Sequence, residues 1–94
     1  MDQNLDNSVL MAFYVYMIKT ISSSVKKSYV GFSNNVNKRL KKHNSNKGAK
    51  STKGHKWKLI YQKKFASKSK AMSFEYKLKK NRKKRLSLLK GFNN

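Results

Sequence analysis

At 94 residues the chain has room for one domain and a modest core, with 37% hydrophobic and 12% aromatic residues to build it. It sets 24 Lys and Arg against 3 Asp and Glu, a formal charge of +21 that resists compaction and points to a polyanionic partner, nucleic acid first and an anionic membrane surface second. The absence of cysteine excludes disulfides, thiolate zinc sites and cysteine nucleophiles, and no apolar run reaches the ~18–20 residues that span a bilayer.

Residues 1–11 read as a polar leader that holds Asp2 and Asp6, two of the three acids. It lacks Arg, and its apolar stretch is too short for a signal peptide, so a soluble, cytoplasmic or nucleoid-associated protein is expected and a secreted one is not. "FYVYMIKT" (13–20) is β-branched and aromatic and predicts a strand. "SYVGF" (28–32) predicts a second, joined to the first as a hairpin by a polar connection. Residues 33–46 open with capping residues, and Val36, Leu40 and His43 recur at helical spacing. A helix capped by Ser33 or Asn34 is expected there.

"KGAKSTKGH" (47–55) is a basic, glycine-containing loop. Residues 56–66 alternate in part and predict a third strand. Ser67 is a candidate cap for a helix that starts near Ser69 and runs through "AMSFEYKLKK". Residues 82–92 predict a final short helix, with Gly91 near its C-terminal stop. The order is β-β-α-β-α-α. It describes an α+β domain over residues 12–92, a small three-stranded antiparallel sheet flanked by three helices.

Glu75 is the only acid beyond the leader. Residues 71, 74, 75 and 78 form the i, i+3, i+4, i+7 stripe of a core-facing helix surface, with Ala71, Phe74 and Leu78 as its apolar members. One reading pairs Glu75 with Lys79, four residues on, for ~0.2–0.5 kcal/mol. The other starts from desolvation: a carboxylate on that stripe needs a partner, and among phosphates it would repel the ligand. Holding a hydrated divalent ion turns the repulsion into attraction, and Mg²⁺ commonly takes only one or two protein carboxylates.

On the first strand Tyr14, Tyr16 and Ile18 share one face, and Phe13, Val15 and Met17 the other. On the second, Tyr29 and Gly31 share a face, so Tyr16 and Tyr29 are expected close together. Gly31 leaves that surface without a side chain, which suits close approach of a backbone or a ligand. A tyrosine acting as a base needs its pKa, ordinarily about 10, lowered by cations or a metal-bound water. Arg39 and His43 stand one helical turn apart. Arg occurs only at 39, 82 and 85, and its planar fork grips two phosphate oxygens at once.

These residues carry a resemblance. "YVY" (14–16), "YVG" (29–31), "NKRLKKH" (37–43) and "FEYKLKK" (74–80), in that order over residues 13–90, resemble the GIY-YIG nuclease family. The "NKGAKST" loop (46–52) is similar to the small proteins related to the nuclease domain of SLX-type structure-specific endonucleases. The resemblance implies that Tyr16 matches the tyrosine of the first motif, Tyr29 and Gly31 the tyrosine and glycine of the second, Arg39 and His43 the family arginine and histidine, and Glu75 the metal-binding glutamate. Tyr14 replaces the first-motif glycine, and Phe32 stands where some branches place a lysine.

The expected function is a DNA endonuclease dependent on one divalent ion, Mg²⁺ or Mn²⁺, acting on branched or single-stranded DNA. Either Tyr29 or Tyr16 would activate water, Arg39 would neutralise developing charge, and His43 would order the hydroxyl network. Lys41, Lys42, Lys47, Lys50, Lys53 and Lys56 would hold the phosphate backbone. A non-catalytic basic nucleic-acid binder is the alternative, and a membrane-surface helix over 76–92 a weaker one.

Overall fold

Four consecutive residues, Val15, Tyr16, Met17 and Ile18, are buried to 1% exposure or less. A strand hides consecutive side chains only when both faces of its sheet are covered. The computed structural model, which describes residues 12–22 and 24–93, shows how this happens. Strands β1 (Phe13–Thr20), β2 (Ser28–Ser33) and β3 (Trp57–Phe65) form one antiparallel sheet in the order β2-β1-β3. Helix α1 (Val36–Asn44) follows the hairpin, a 3₁₀ turn (Lys50–Thr52) precedes β3, and helices α2 (Lys68–Lys80) and α3 (Arg82–Asn93) end the chain. The order is the β-β-α-β-α-α expected. The leader, residues 1–11, lies outside the described residues.

Two cores result, one on each face. Val15, Met17 and Val30 pack against Ala71 and Leu78 of α2, with Leu88 and Leu89 of α3 alongside. Tyr16, Ile18 and Trp57 pack against Val36 and Leu40 of α1. Each fully buried aliphatic contributes about 1.5–3 kcal/mol. The strand parity read from "FYVYMI" therefore holds, with each parity feeding a different core.

Strand β3 alternates only in part for a reason the sequence hides. The register slips between Met17 and Ile18: Met17 faces Tyr61, but Ile18 faces Leu59. The extra residue, Ile60, is a β-bulge that reverses parity. Trp57 and Leu59 thus join the α1 core, while Tyr61 and Phe65, of the same sequence parity, join the α2–α3 core.

Three helix limits differ from expectation. The cap of α1 is Asn35, whose Oδ1 accepts from the Lys38 N–H. Ser33 instead accepts from the Asn35 N–H, forming the turn before the cap. The helix stops at Asn44 because Asn46 takes a left-handed φ of 64° and the Lys47 N–H returns to the Lys42 carbonyl. Gly91 is not a stop: α3 runs through it to Asn93. Ser67 does cap α2, accepting from the Lys70 N–H.

Candidate active site

Tyr16 faces Gly31 across the hairpin and Tyr29 faces Ile18, which sets the two phenols on one surface with ring centroids 6.4 Å apart. Gly31 does permit a close approach, but the occupant is the Tyr16 ring itself. A Cβ at Gly31 would stand 2.3 Å from Tyr16 Oη. The space expected for a ligand or a backbone is filled by the protein's own phenol.

Helix α1 lays Arg39 and His43 over this surface. His43 is fully buried, its ring 5.9 Å from that of Tyr16 and 5.0 Å from that of Tyr29. Its Nε2 lies 2.8 Å from the Tyr16 hydroxyl and its Nδ1 2.9 Å from Thr52 Oγ1. The Thr52 hydroxyl donates to the Ala49 carbonyl at 2.8 Å. Its one proton is thereby committed, so it accepts from His43 Nδ1–H. Nε2 is then an acceptor, and Tyr16 donates to it. The Arg39 guanidinium acts on the same hydroxyl and favours its ionised form. The run of donors is directed, from Tyr16 through His43 and Thr52 to a backbone carbonyl.

The loop at 47–55 does more than offer lysines. A Cβ at Gly48 would come within 2.3 Å of His43 Nδ1, so the glycine gives the ring its clearance. Buried Trp57 donates from Nε1 to the Thr52 carbonyl at 2.9 Å, and the Asn44 amide brackets the Trp57 backbone at 2.6 and 3.1 Å. Thr52, Gly48 and Asn44 were missed as site residues. The first two sit in the "NKGAKST" string, yet no spacing rule places that loop beneath an imidazole.

Burial dominates the protonation of the pair. The Tyr16 hydroxyl is pushed up to about 12 by desolvation, which outweighs the opposing influence of Arg39. The expectation of a lowered tyrosine is reversed at this position. His43 is pulled below its ordinary range by burial and by the Arg39 charge. Both groups therefore rest neutral, with the proton on Tyr16.

The two shifts give a pH signature. Folding favours neutral Tyr16, so its contribution is full below pH 10 and is lost as pH rises toward about 12. Folding favours neutral His43 too, so its contribution is present above pH 6.5 and is lost as pH falls. Half-buried Tyr61 is also pushed up by burial and acts at alkaline pH, so the measurement is the difference between wild type and Tyr16→Phe in urea denaturation. That difference is expected to move against wild type by on the order of 2 kcal/mol between pH 10 and 12. His43→Gln is expected to lose the part of the acid limb that wild type owes to this ring.

Glu75 stands on α2. Its side chain is 14% exposed and 3.4 Å from Lys79 Nζ, so the ion pair and the inward position coexist. Its negative charge acts on Tyr16. Arg39 Nε is buried and has no hydrogen-bond partner among the described residues. Lys41, Lys42, Lys47, Lys50 and Lys53 are exposed along the end of α1 and the following loop. Lys56 differs, since its Nζ donates to the Asn44 carbonyl at 2.7 Å and ties down the end of α1.

The donor chemistry near Tyr16 fits a hard, hydrated divalent ion. Among the described residues no three His, Cys, Asp or Glu side chains converge, so no all-protein cage exists. One carboxylate and one unpaired guanidinium N–H, both acting on Tyr16, would fit an ion and a phosphate bound together.

The GIY-YIG catalytic domain model matches residues 12–90. A UPF0213 protein of Oceanobacillus iheyensis is 42% identical over 67 residues, covering 70% of this chain and 74% of its own length. One from Staphylococcus saprophyticus is 38% identical over 78 residues, covering 81% and 92%. The solution NMR structure of a UPF0213 protein from Bacillus halodurans is 36% identical, with a TM-score of 0.50 over 85% of this chain and 84% of that one. Nucleases with this domain act on nucleic acid and generally use a divalent metal. Among the described residues no helix is long and apolar enough to cross a membrane. Matched by that domain model over residues 12–90 and by these relatives over most of its length, the chain belongs to the GIY-YIG family and, within it, to the small stand-alone UPF0213 proteins.

Proposed function

We propose that the protein is a metal-dependent DNA endonuclease that hydrolyses phosphodiester bonds, selective for branched or single-stranded substrates and serving repair or recombination near the nucleoid. The observation that supports this most is the unpaired, buried Nε–H of Arg39, held beside Tyr16 where it meets Tyr29 and His43. A buried donor of that kind calls for an acceptor, and a non-bridging phosphate oxygen supplies one.

Glu75 would hold one Mg²⁺ or Mn²⁺ ion, whose chemistry is Lewis-acid stabilisation of the leaving 3′-oxygen. The chain's own groups do the rest. Tyr29 is half-buried where Tyr16 is 1% exposed, so Tyr29 is the phenol that meets substrate and orients the attacking water. Tyr16, pushed up to about 12, keeps its proton and holds His43 in place. Arg39 neutralises charge growing on the non-bridging oxygens, commonly the largest catalytic contribution. Exposed Lys41, Lys42, Lys47, Lys50 and Lys53 line the approach and hold backbone without reading bases. Lys56 supports them through α1.

The test is a panel of labelled flap, junction, duplex and single-stranded DNA, incubated with Mg²⁺ or with EDTA. Cuts in the branched or single-stranded members that vanish with EDTA are expected. Tight, salt-sensitive binding with no metal-dependent product would leave the non-catalytic binder as the reading.

A further inference from the structure

Two of the three arginines take no part in the site above. Arg85 explains itself locally: its Nη1 donates to the Leu78 carbonyl at 2.9 Å and also to that of Lys79, closing the end of α2. Arg82 has no such task in the fold. It lies on the wall of a cavity of about 590 Å³ between the β1–β2 connection and the start of α3. The same lining carries Lys26, Lys27 and Lys58, all exposed, and half-buried Lys19. Among the described residues no carboxylate and no aromatic ring lines the cavity.

The rest of the lining is of another kind: Ile21, Leu86 and Leu89, with Ile21 58% and Leu86 50% exposed. Large aliphatics left open among cations are a specific combination. A duplex offers such a groove only its outer phosphates, because its bases are stacked inside. A single strand offers phosphates and an unstacked base or sugar together; binders of single strands pair a cationic groove with platforms for the bases, commonly aromatic, and here the aliphatic side chains stand in that place.

We propose that this groove seats a single-stranded stretch of the nucleic-acid ligand, with phosphates on Lys26, Lys27 and Arg82 and an unstacked base on Ile21, Leu86 and Leu89. The ligand class rests on the nuclease reading, but the seat does not require cleavage. The lining is almost wholly separate from Tyr16, Tyr29, Arg39, His43 and Glu75, so it acts on a different part of the substrate. A substrate with a single-stranded arm would occupy both places at once.

The test is fluorescence anisotropy with labelled oligothymidine and a blunt duplex of equal length, in EDTA so that no metal-dependent cutting intervenes. Lys26→Gln/Lys27→Gln/Arg82→Gln is expected to weaken oligothymidine binding about tenfold and to flatten its log–log salt slope by about 2, three contacts at ~0.7 each. A charge-matched control, Lys64→Gln/Lys68→Gln/Lys70→Gln, is expected to change it by less than about threefold, since those lysines are exposed elsewhere. Leu86→Ser is expected to weaken oligothymidine several-fold with an unchanged salt slope and no effect on duplex.

Equal losses in the groove and control variants would overturn the seat. So would a duplex loss as large as the single-strand loss, or an indifferent Leu86→Ser. Anionic vesicles bound more tightly than oligothymidine, and lost in the same triple variant, would overturn it in favour of a membrane surface. The cleavage panel is scored separately. A protein that never cuts but shows these binding differences sinks the nuclease reading and leaves the seat standing.

Discussion

Glu75→Gln is expected to lower metal-dependent cleavage about 10³-fold while leaving nucleic-acid affinity equal or higher. The substitution keeps the shape of the side chain and removes only its charge. Two consequences separate here. The Lys79 contact at 3.4 Å is a partly exposed i,i+4 pair, so losing it costs about 0.2–0.5 kcal/mol and leaves the fold intact. The carboxylate's proposed task, holding an ion against a phosphate, falls to Glu75 alone among the described residues, since the only other acids are Asp2 and Asp6. Single-turnover cleavage at saturating Mg²⁺ reads the second effect, and anisotropy in EDTA reads affinity. Lys79→Ala is the companion: it removes the ion pair and is expected to keep cleavage within a few-fold of wild type. A Glu75→Gln protein that cuts at the wild-type rate would refute the metal role.

Gly31→Ala is expected to be nearly as damaging to cleavage, through packing alone. The new methyl would stand 2.3 Å from Tyr16 Oη, 2.4 Å from Cζ and 2.8 Å from Cε2. The ring is 1% exposed and tied to His43 at 2.8 Å, so it has little room to turn aside. Overpacking of this kind costs about 1–3 kcal/mol. Displacing a group that positions others by an ångström costs about 10²-fold in rate. Urea denaturation and single-turnover cleavage measure the two parts. Tyr16→Leu added to Gly31→Ala is expected to regain part of the stability and none of the cleavage. Recovery of both would mean that the hydroxyl has no role beyond filling space.

Much of the site was legible because its residues are spaced by the periods of the elements that carry them. Tyr16 and Tyr29 needed only strand alternation and a hairpin, and Arg39 and His43 needed only a helical turn. Glu75 stood out by charge, and its stripe predicted that it would turn inward. Strand β3 was less legible, since a bulge at Ile60 sends residues of one parity to two cores. The cap of α1 was off by one or two residues, because several adjacent polar side chains can each cap and only the path of the chain out of β2 selects Asn35.

Taken by itself, the sequence determined the order of the elements, the two faces of β1 and a polyanionic class of partner, while the groups expected to converge were named by the family resemblance. The first three are local or compositional properties, set by periods of 2 and 3.6 and by a count of cations. Tertiary structure alone decided that Gly31 is filled by Tyr16, that Thr52 and Gly48 form the socket of His43, and that Tyr16 is pushed up rather than down in pKa. It also set Arg82 beside the hairpin loop, some 55 residues away in sequence from its partners there. Such facts depend on which distant atoms exclude water from one another, and no local pattern in a chain encodes that.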